Sequence, residues 1–197
     1  AVSLFYKKFN DPIEEILTAS SSNEPIRSYA NAISADNYGL ELELRKSLGF
    51  ITETINSFSF VGNVTLIKST IQLNSDNSGF QESERPLQGQ ADYIFNLGLY
   101  FDDLTSGINS SIVYNKVGWR IAKVGTSDLG NTLEKPVDVI DFSISKRFFE
   151  MLTLRLSVRD LLNQDKNFIQ QAPGGDQISE LNRTGRNVSL ELSYQIN

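Results

Sequence analysis

Paired carboxylates, a glycine-rich stretch and a single tryptophan are the residues of this chain with chemistry to offer, and each also has a plain structural use. Glu14-Glu15 are adjacent carboxylates of the kind that acid/base catalysis pairs. Neighbours in an extended strand face opposite ways, so the two cannot serve one site there. Asp102-Asp103 open a turn-forming stretch that runs to Gly107, where aspartate binds backbone N–H groups without a metal. Ala172-Pro173-Gly174-Gly175-Asp176 has the glycines of a phosphate loop but not the Lys and Ser/Thr that complete one, and no clear helix follows. Trp119 would stack on a sugar or aromatic ligand, or anchor at a membrane interface, the commoner use. Histidine and cysteine are absent, which removes Ser-His pairs, thiol nucleophiles, disulfides and ordinary zinc sites. No nucleophile–base constellation is left, so neither catalysis nor a cofactor is expected.

The bulk numbers narrow the class. The 197 residues carry a net charge of −6, with the basic ones scattered, so a nucleic-acid groove is not expected. A composition of 40% hydrophobic and 21% charged residues points to an ordered chain. No run approaches the roughly 20 apolar residues of a spanning helix. Barrel strands of about 10 residues, apolar on one face, would escape that test. The N-terminus, Ala1 to Phe9, reads as a strand with no signal peptide before it, and the expectation is a chain that begins part-way through a larger protein.

Period-2 alternation dominates what the elements must be. Tyr38-Gly39-Leu40-Glu41-Leu42-Glu43-Leu44-Arg45 puts its charges on one face only if extended. The pattern recurs at Phe58 to Leu66, Tyr93 to Phe101, Ile140 to Phe148, Leu152 to Val158 and Val188 to Ile196. Two stretches are less regular. In the first strand, Val2, Leu4 and Tyr6 compete with Phe5 and Phe9 for the apolar face, and between Ile108 and Ile121 the parity changes, as a β-bulge near Lys116 would explain. Short connections follow Arg45, Phe101 and Phe149, while Thr18–Arg27, Asn74–Arg85, Gly125–Pro136 and Ala172–Arg186 are long and polar. The expected fold is all-β, an antiparallel up-and-down transmembrane barrel or part of one: residues 1–197 form one segment of about eight strands, with short turns on the periplasmic side and long loops outside.

Alternation alone leaves a soluble sandwich open, since its apolar face would turn inward to a dry core. Long strands, a wet-looking opposite face and aromatics near the strand ends favour lipid contact. On this reading Glu41, Glu43, Arg45, Arg147, Arg155, Arg159 and Glu191 face an aqueous lumen, lining it for substrate or plug, or only pairing with one another in water. Tyr38, Phe58, Phe60, Tyr100, Phe101, Phe148 and Tyr194, with Phe149 beside them, make an interface girdle. Arg27, Tyr29, Arg85, Lys123 and Asn167 lie in or beside the loops that would meet a substrate first.

Particular segments carry a family resemblance. Asn37-Tyr38-Gly39-Leu40-Glu41-Leu42-Glu43-Leu44-Arg45, then Arg85-Pro86-Leu87-Gln88-Gly89-Gln90 with Tyr93 and Asn96-Leu97-Gly98-Leu99-Tyr100, then Val158-Arg159-Asp160-Leu161-Leu162-Asn163, resemble in order and spacing the C-terminal part of TonB-dependent outer-membrane receptors. The Arg85 to Tyr100 stretch is the most specific of them. A departure is Asn197, where many barrels end on an aromatic residue. The resemblance implies a location in the bacterial outer membrane, a complete barrel of about 22 strands with a plug inside, and import of a bulky nutrient such as an iron chelate, cobalamin or oligosaccharide. It implies as partners outer-membrane lipid, the remaining strands and plug of the same receptor, and the TonB energy-coupling complex reached through an N-terminal region this chain lacks. An independent eight-stranded adhesin or anchor and a soluble sandwich binding module are the alternatives. Solubility without detergent after refolding would exclude both membrane readings; retention in micelles or membranes is the expected result.

Overall fold

A computed structural model describes residues 1–21, 24–73, 85–126, 129–172 and 174–196. Asn197, Pro173 and nearly all of the connection from Asn74 to Arg85 lie outside the described residues.

The alternating runs become one 8-stranded sheet. Its strands are β1 (Val2–Asn10), β4 (Ser34–Ser47), β5 (Phe58–Gln72), β6 (Tyr93–Asp103), β7 (Ile108–Val117), β10 (Asp138–Phe148), β11 (Leu152–Arg159) and β14 (Asn187–Tyr194), adjacent in that order. Every neighbouring pair is antiparallel. β1 and β14 are the two edges and do not pair with each other.

Register keeps the two faces apart across the whole sheet. One row runs Phe60–Leu99–Ile112–Phe142–Val158–Val188. The next row, one residue along each strand and therefore on the other face, runs Ser47–Ser59–Tyr100–Ser111–Ser143–Ser157–Ser189. A slip of one residue in any strand would reverse this segregation. In β1 the contest of parities resolves simply: Leu4 pairs with Leu40 on the apolar face, and the Phe5 ring covers Gly39 on the polar one.

No second apolar layer covers the apolar face among the described residues. Leu42 and Leu154 are about two-fifths exposed and Leu190 is 71% exposed, so these side chains do not converge on a dry centre. The buried apolar residues, Leu17, Ala32, Ala35, Ile71, Ala91, Ile121 and Val124, sit instead at the end of the sheet that carries the long connections.

The sequence predicts plain polar loops for those connections, and the structure corrects this. They carry β2 (Ile13–Thr18), β3 (Ile26–Asn31), β8 (Arg120–Gly125), β9 (Thr132–Glu134), β12 (Lys166–Gln170) and β13 (Gln177–Asn182). Together these form a second, 6-stranded sheet in the order β13-β12-β9-β8-β2-β3, with β2 and β8 parallel. No bulge lies at Lys116. β7 runs in unbroken register to Val117, and Ile121 belongs to β8, so the change of parity marks a change of sheet. Register shifts occur instead between Ile121 and Lys123 and between Phe168 and Ile169.

The opposite connections are tight. Asp103 accepts from the Thr105 N–H at 3.0 Å and Gly107 turns at φ 68°. Phe149 and Glu150 both take left-handed backbone, as a short hairpin matched to strand twist requires.

Gly125 is the glycine on which the second sheet depends most. A Cβ there would lie 1.8 Å from the Leu129 carbonyl oxygen and 2.2 Å from that of Gly130. Gly125→Ala is expected to destabilise the β8–β9 hairpin by about 1–3 kcal/mol, read as lost hydrogen-exchange protection over 120–134. Gly174→Ala, with nothing within 4 Å of the added carbon, should leave protection unchanged.

Candidate functional site

The polar face of the long sheet is concave enough to hold a cavity of about 690 Å³ toward its short-turn end. Ser59, Ser111, Ser143, Ser145 and Ser157 leave room there, and Arg45, Arg155, Tyr100, Asn109 and Asp102 are among the other residues that line it. Ser111 and Ser143 share a hydroxyl hydrogen bond of 2.9 Å. Asn115 donates to Asn96, and Thr65 donates to Glu41 at 3.4 Å. Hydroxyl and amide groups both donate and accept, so this surface suits hydrophilic solutes or polypeptide backbone.

All the charged residues expected to line a lumen stand on this polar face. Glu41, Glu43 and Arg45 alternate along β4, Arg45 lying 3.9 Å from Glu43. Arg147 lies opposite Thr153, Arg159 opposite Asn187, and Arg155 between Ser145 and Glu191 in the register. They are exposed, and pairs of this kind in water contribute at most about 1 kcal/mol. A second cavity, of about 460 Å³, gathers Arg155, Arg159 and Glu191 beside Ser189.

The aromatic residues divide by face. Phe58, Phe60, Phe101, Phe148 and Tyr194 stand on the apolar face toward the short turns; Tyr38 stands on that face at the other end. Phe58 and Phe101 rings pack at 4.8 Å between centroids. Tyr100 is the exception and corrects the expected girdle. It lies in the serine row, its ring against Gly98, because strand neighbours Tyr100 and Phe101 cannot share a face.

A second cluster, which sequence reasoning missed, ties the outer sheet to the long one. Arg85 and Glu14 are buried, 5% and 2% exposed, and form a two-pronged ion pair at 2.9 and 2.6 Å. Arg85 is thus not a loop residue displayed to a substrate. The Gln88 N–H donates to Glu14 at 2.8 Å. The Gln88 side chain accepts from the Glu15 N–H at 2.7 Å and donates to the Ala122 carbonyl at 2.7 Å, bridging β2 and β8. Gly89, at φ 78°, donates to the Ile121 carbonyl at 2.9 Å, and Gln90 accepts from the Asn37 amide at 3.0 Å. Glu15 faces away from Glu14, 3.7 Å from Arg27, so the adjacent carboxylates do not share a site.

Farther out, Lys123 lies 3.5 Å from Glu180. The amide of Asn182 and then Lys123 hold the Glu180 carboxyl below the ordinary glutamate range. Tyr29 is largely exposed, and Trp119 is partly exposed between β7 and β8.

Removing one partner of the buried pair leaves the other charge uncompensated. Arg85→Met is expected to cost about 3–5 kcal/mol, measured as a lower denaturation midpoint. The double variant Glu14→Leu/Arg85→Met should recover much of that loss, because no buried charge then remains.

No curated protein matches the chain. Among solved structures, the FrpB iron transporter of Neisseria meningitidis is similar over 98% of this chain and 27% of its own, at 16% identity and a TM-score of 0.61. The ferric enterobactin receptor PfeA is similar over 98% of this chain and 28% of its own, at 15% identity and a TM-score of 0.58. The chain therefore spans little more than a quarter of the proteins it resembles, and at such identities the likeness is one of fold. The family profile described as outer membrane protein beta-barrel matches residues 1–194. The chain belongs to the outer membrane protein β-barrel family.

Proposed function

We propose that this chain is the C-terminal barrel segment of a TonB-dependent outer-membrane receptor that imports a bulky nutrient, such as an iron chelate, cobalamin or an oligosaccharide. The observation that carries the reading is the open sheet. Its edges β1 and β14 leave backbone donors and acceptors unpaired, and a strand exposed to lipid must satisfy those groups within the protein. Further strands of the same receptor would pair with both edges. An iron transporter and a siderophore receptor match nearly the whole chain with about a quarter of their own length.

The apolar face then contacts acyl chains, with Tyr38, Phe58, Phe60, Phe101, Phe148 and Tyr194 at the interfaces. The polar face, with Glu41, Glu43, Arg45, Arg147, Arg155, Arg159, Glu191 and the serine row, lines the lumen against plug and solute. Transport itself draws on the plug and on the energy-coupling complex, which the remaining receptor engages. A closed eight-stranded barrel would need hydrogen bonds between β1 and β14, and a sandwich would need a second apolar layer; neither appears among the described residues.

Neighbouring residues test the facing. In the intact protein, Ile112→Arg should cost about 2–4 kcal/mol of membrane stability near the middle of the bilayer, while Ser111→Arg should assemble normally. Equal tolerance at both positions contradicts the assignment. Transport is tested by growth of a deletion strain on candidate iron chelates, cobalamin or glycans. Growth restored by the intact gene, and lost again when the energy-coupling protein is removed, is expected; coupling-independent growth contradicts the proposal.

A further inference from the structure

The cavity of about 690 Å³ on the polar face has an aromatic ring laid down in its lining. A Cβ at Gly98 would meet Cε2, the hydroxyl oxygen and Cζ of Tyr100 at 2.6, 3.0 and 3.1 Å. The ring therefore leans along β6 onto bare backbone, which only a glycine there permits. One face lies against the wall and the other is open to the lumen, leaving Tyr100 38% exposed. Phe5 lies over Gly39 in the same way, but the Lys7 ammonium sits over its ring, 5.2 Å from the centroid. No cation or second ring covers Tyr100 among the described residues.

Polar groups with unused hydrogen-bonding capacity stand beside that ring. Asp102 follows Tyr100 on the same face of β6, and Asn109 lies opposite Asp102 on β7. All three line the cavity. The Tyr100 hydroxyl, the Asp102 carboxylate and the Asn109 amide make no hydrogen bond with a described residue. Charge around them is balanced. Arg45, Lys46 and Arg155 line the cavity with Asp102, while Glu43 lies 3.9 Å from Arg45 and Glu191 is opposite Arg155 in the register. Three cations thus meet three carboxylates, a weak field for drawing in an ionic chelate.

We infer that this cavity is a pyranose subsite for a neutral oligosaccharide. A sugar ring lies with its C–H face on the Tyr100 ring, whose π surface carries the negative side of its quadrupole. The sugar hydroxyls reach the Asp102 carboxylate and the Asn109 amide. A carboxylate only accepts while an amide both donates and accepts, so the two together match neighbouring hydroxyls. The subsite stands toward the short-turn end, so a solute meets it late in its passage, after the outer sheet. This inference rests on the importer reading above and narrows its nutrient to a saccharide.

The test measures uptake by the intact protein restored to its deletion strain. Radiolabelled neutral hexasaccharides of α-glucan, β-glucan, mannan and xylan are the probes, with ferric citrate and a ferric catecholate alongside. Uptake of at least one saccharide that requires the energy-coupling protein, and of neither iron chelate, is expected. Tyr100→Leu should slow that uptake roughly fivefold, and Asn109→Ala by about the same factor. Tyr100→Phe, which keeps the ring, should slow it no more than about twofold, and Lys68→Gln, on the apolar face, should not change it. Heat-modifiable migration checks that each variant is folded. Coupled uptake of an iron chelate without any saccharide overturns the subsite and leaves the importer reading standing. Uptake indifferent to Tyr100→Leu, or no uptake of any probe, overturns the subsite as well. Saccharide uptake without coupling contradicts the importer reading instead, and the Tyr100→Leu comparison still decides the subsite.

Discussion

A strand in hydrocarbon cannot leave its backbone N–H and C=O groups unpaired, and this requirement governs the whole arrangement. The antiparallel ladder from β1 to β14 meets it everywhere except at the two edges. Once the ladder is obligatory, side chains are sorted by pleat alone, and register determines which of them meet water. The row of Phe60, Leu99, Ile112, Phe142, Val158 and Val188 and the serine row beside it are the outcome. Burial in the ordinary sense is scarce in the long sheet, because among the described residues no second apolar layer packs against its apolar side chains.

The outer connections obey a different rule. Beyond the hydrocarbon layer the chain must build a core of its own, and it does so around Ile71, Ala35 and Ala32, with Leu87 laid over them. The Glu14–Arg85 pair anchors that region. A buried pair of charges is costly in itself, and its geometry together with the Gln88 N–H offsets the desolvation. The pair also brings a segment preceding β6 against β2, an element distant in sequence, so that connections from different hairpins are held as one sheet. Such an outer structure positions Tyr29, Lys123 and Glu180 on a framework instead of on free loops.

Much of the long sheet was legible because alternation is a local signal. Leu40, Leu42 and Leu44 against Glu41, Glu43 and Arg45 need no partner strand to be read. The turns were legible for the same reason, through Asp103 and Gly107. Tyr100 shows that parity outranks nearness to a strand end: it borders a turn as a girdle residue would, yet its place in the alternation puts it in the serine row. Near Lys116 the sequence cannot separate a bulge from a change of sheet, because both leave the same mark on parity. The short outer strands escaped notice because they are brief, polar and held by non-local bonds. The Arg85 to Gln90 stretch stood out as specific, yet its physical reason became visible only when Glu14, Ala122, Ile121 and Asn37 came together around it. Nothing local in Glu14-Glu15 separates the buried carboxylate from the solvated one.

The account turns on which face meets acyl chains, and spin labels report that directly. Single cysteines, each carrying a nitroxide, placed in the intact protein from position 108 to 116 of β7 would be compared for collisions with oxygen, which concentrates in lipid, and with a water-soluble nickel chelate. Oxygen should dominate at Ser110, Ile112 and Tyr114, and nickel at Asn109, Ser111 and Val113, with a period of two residues. The opposite phase, or no alternation at all, would contradict it.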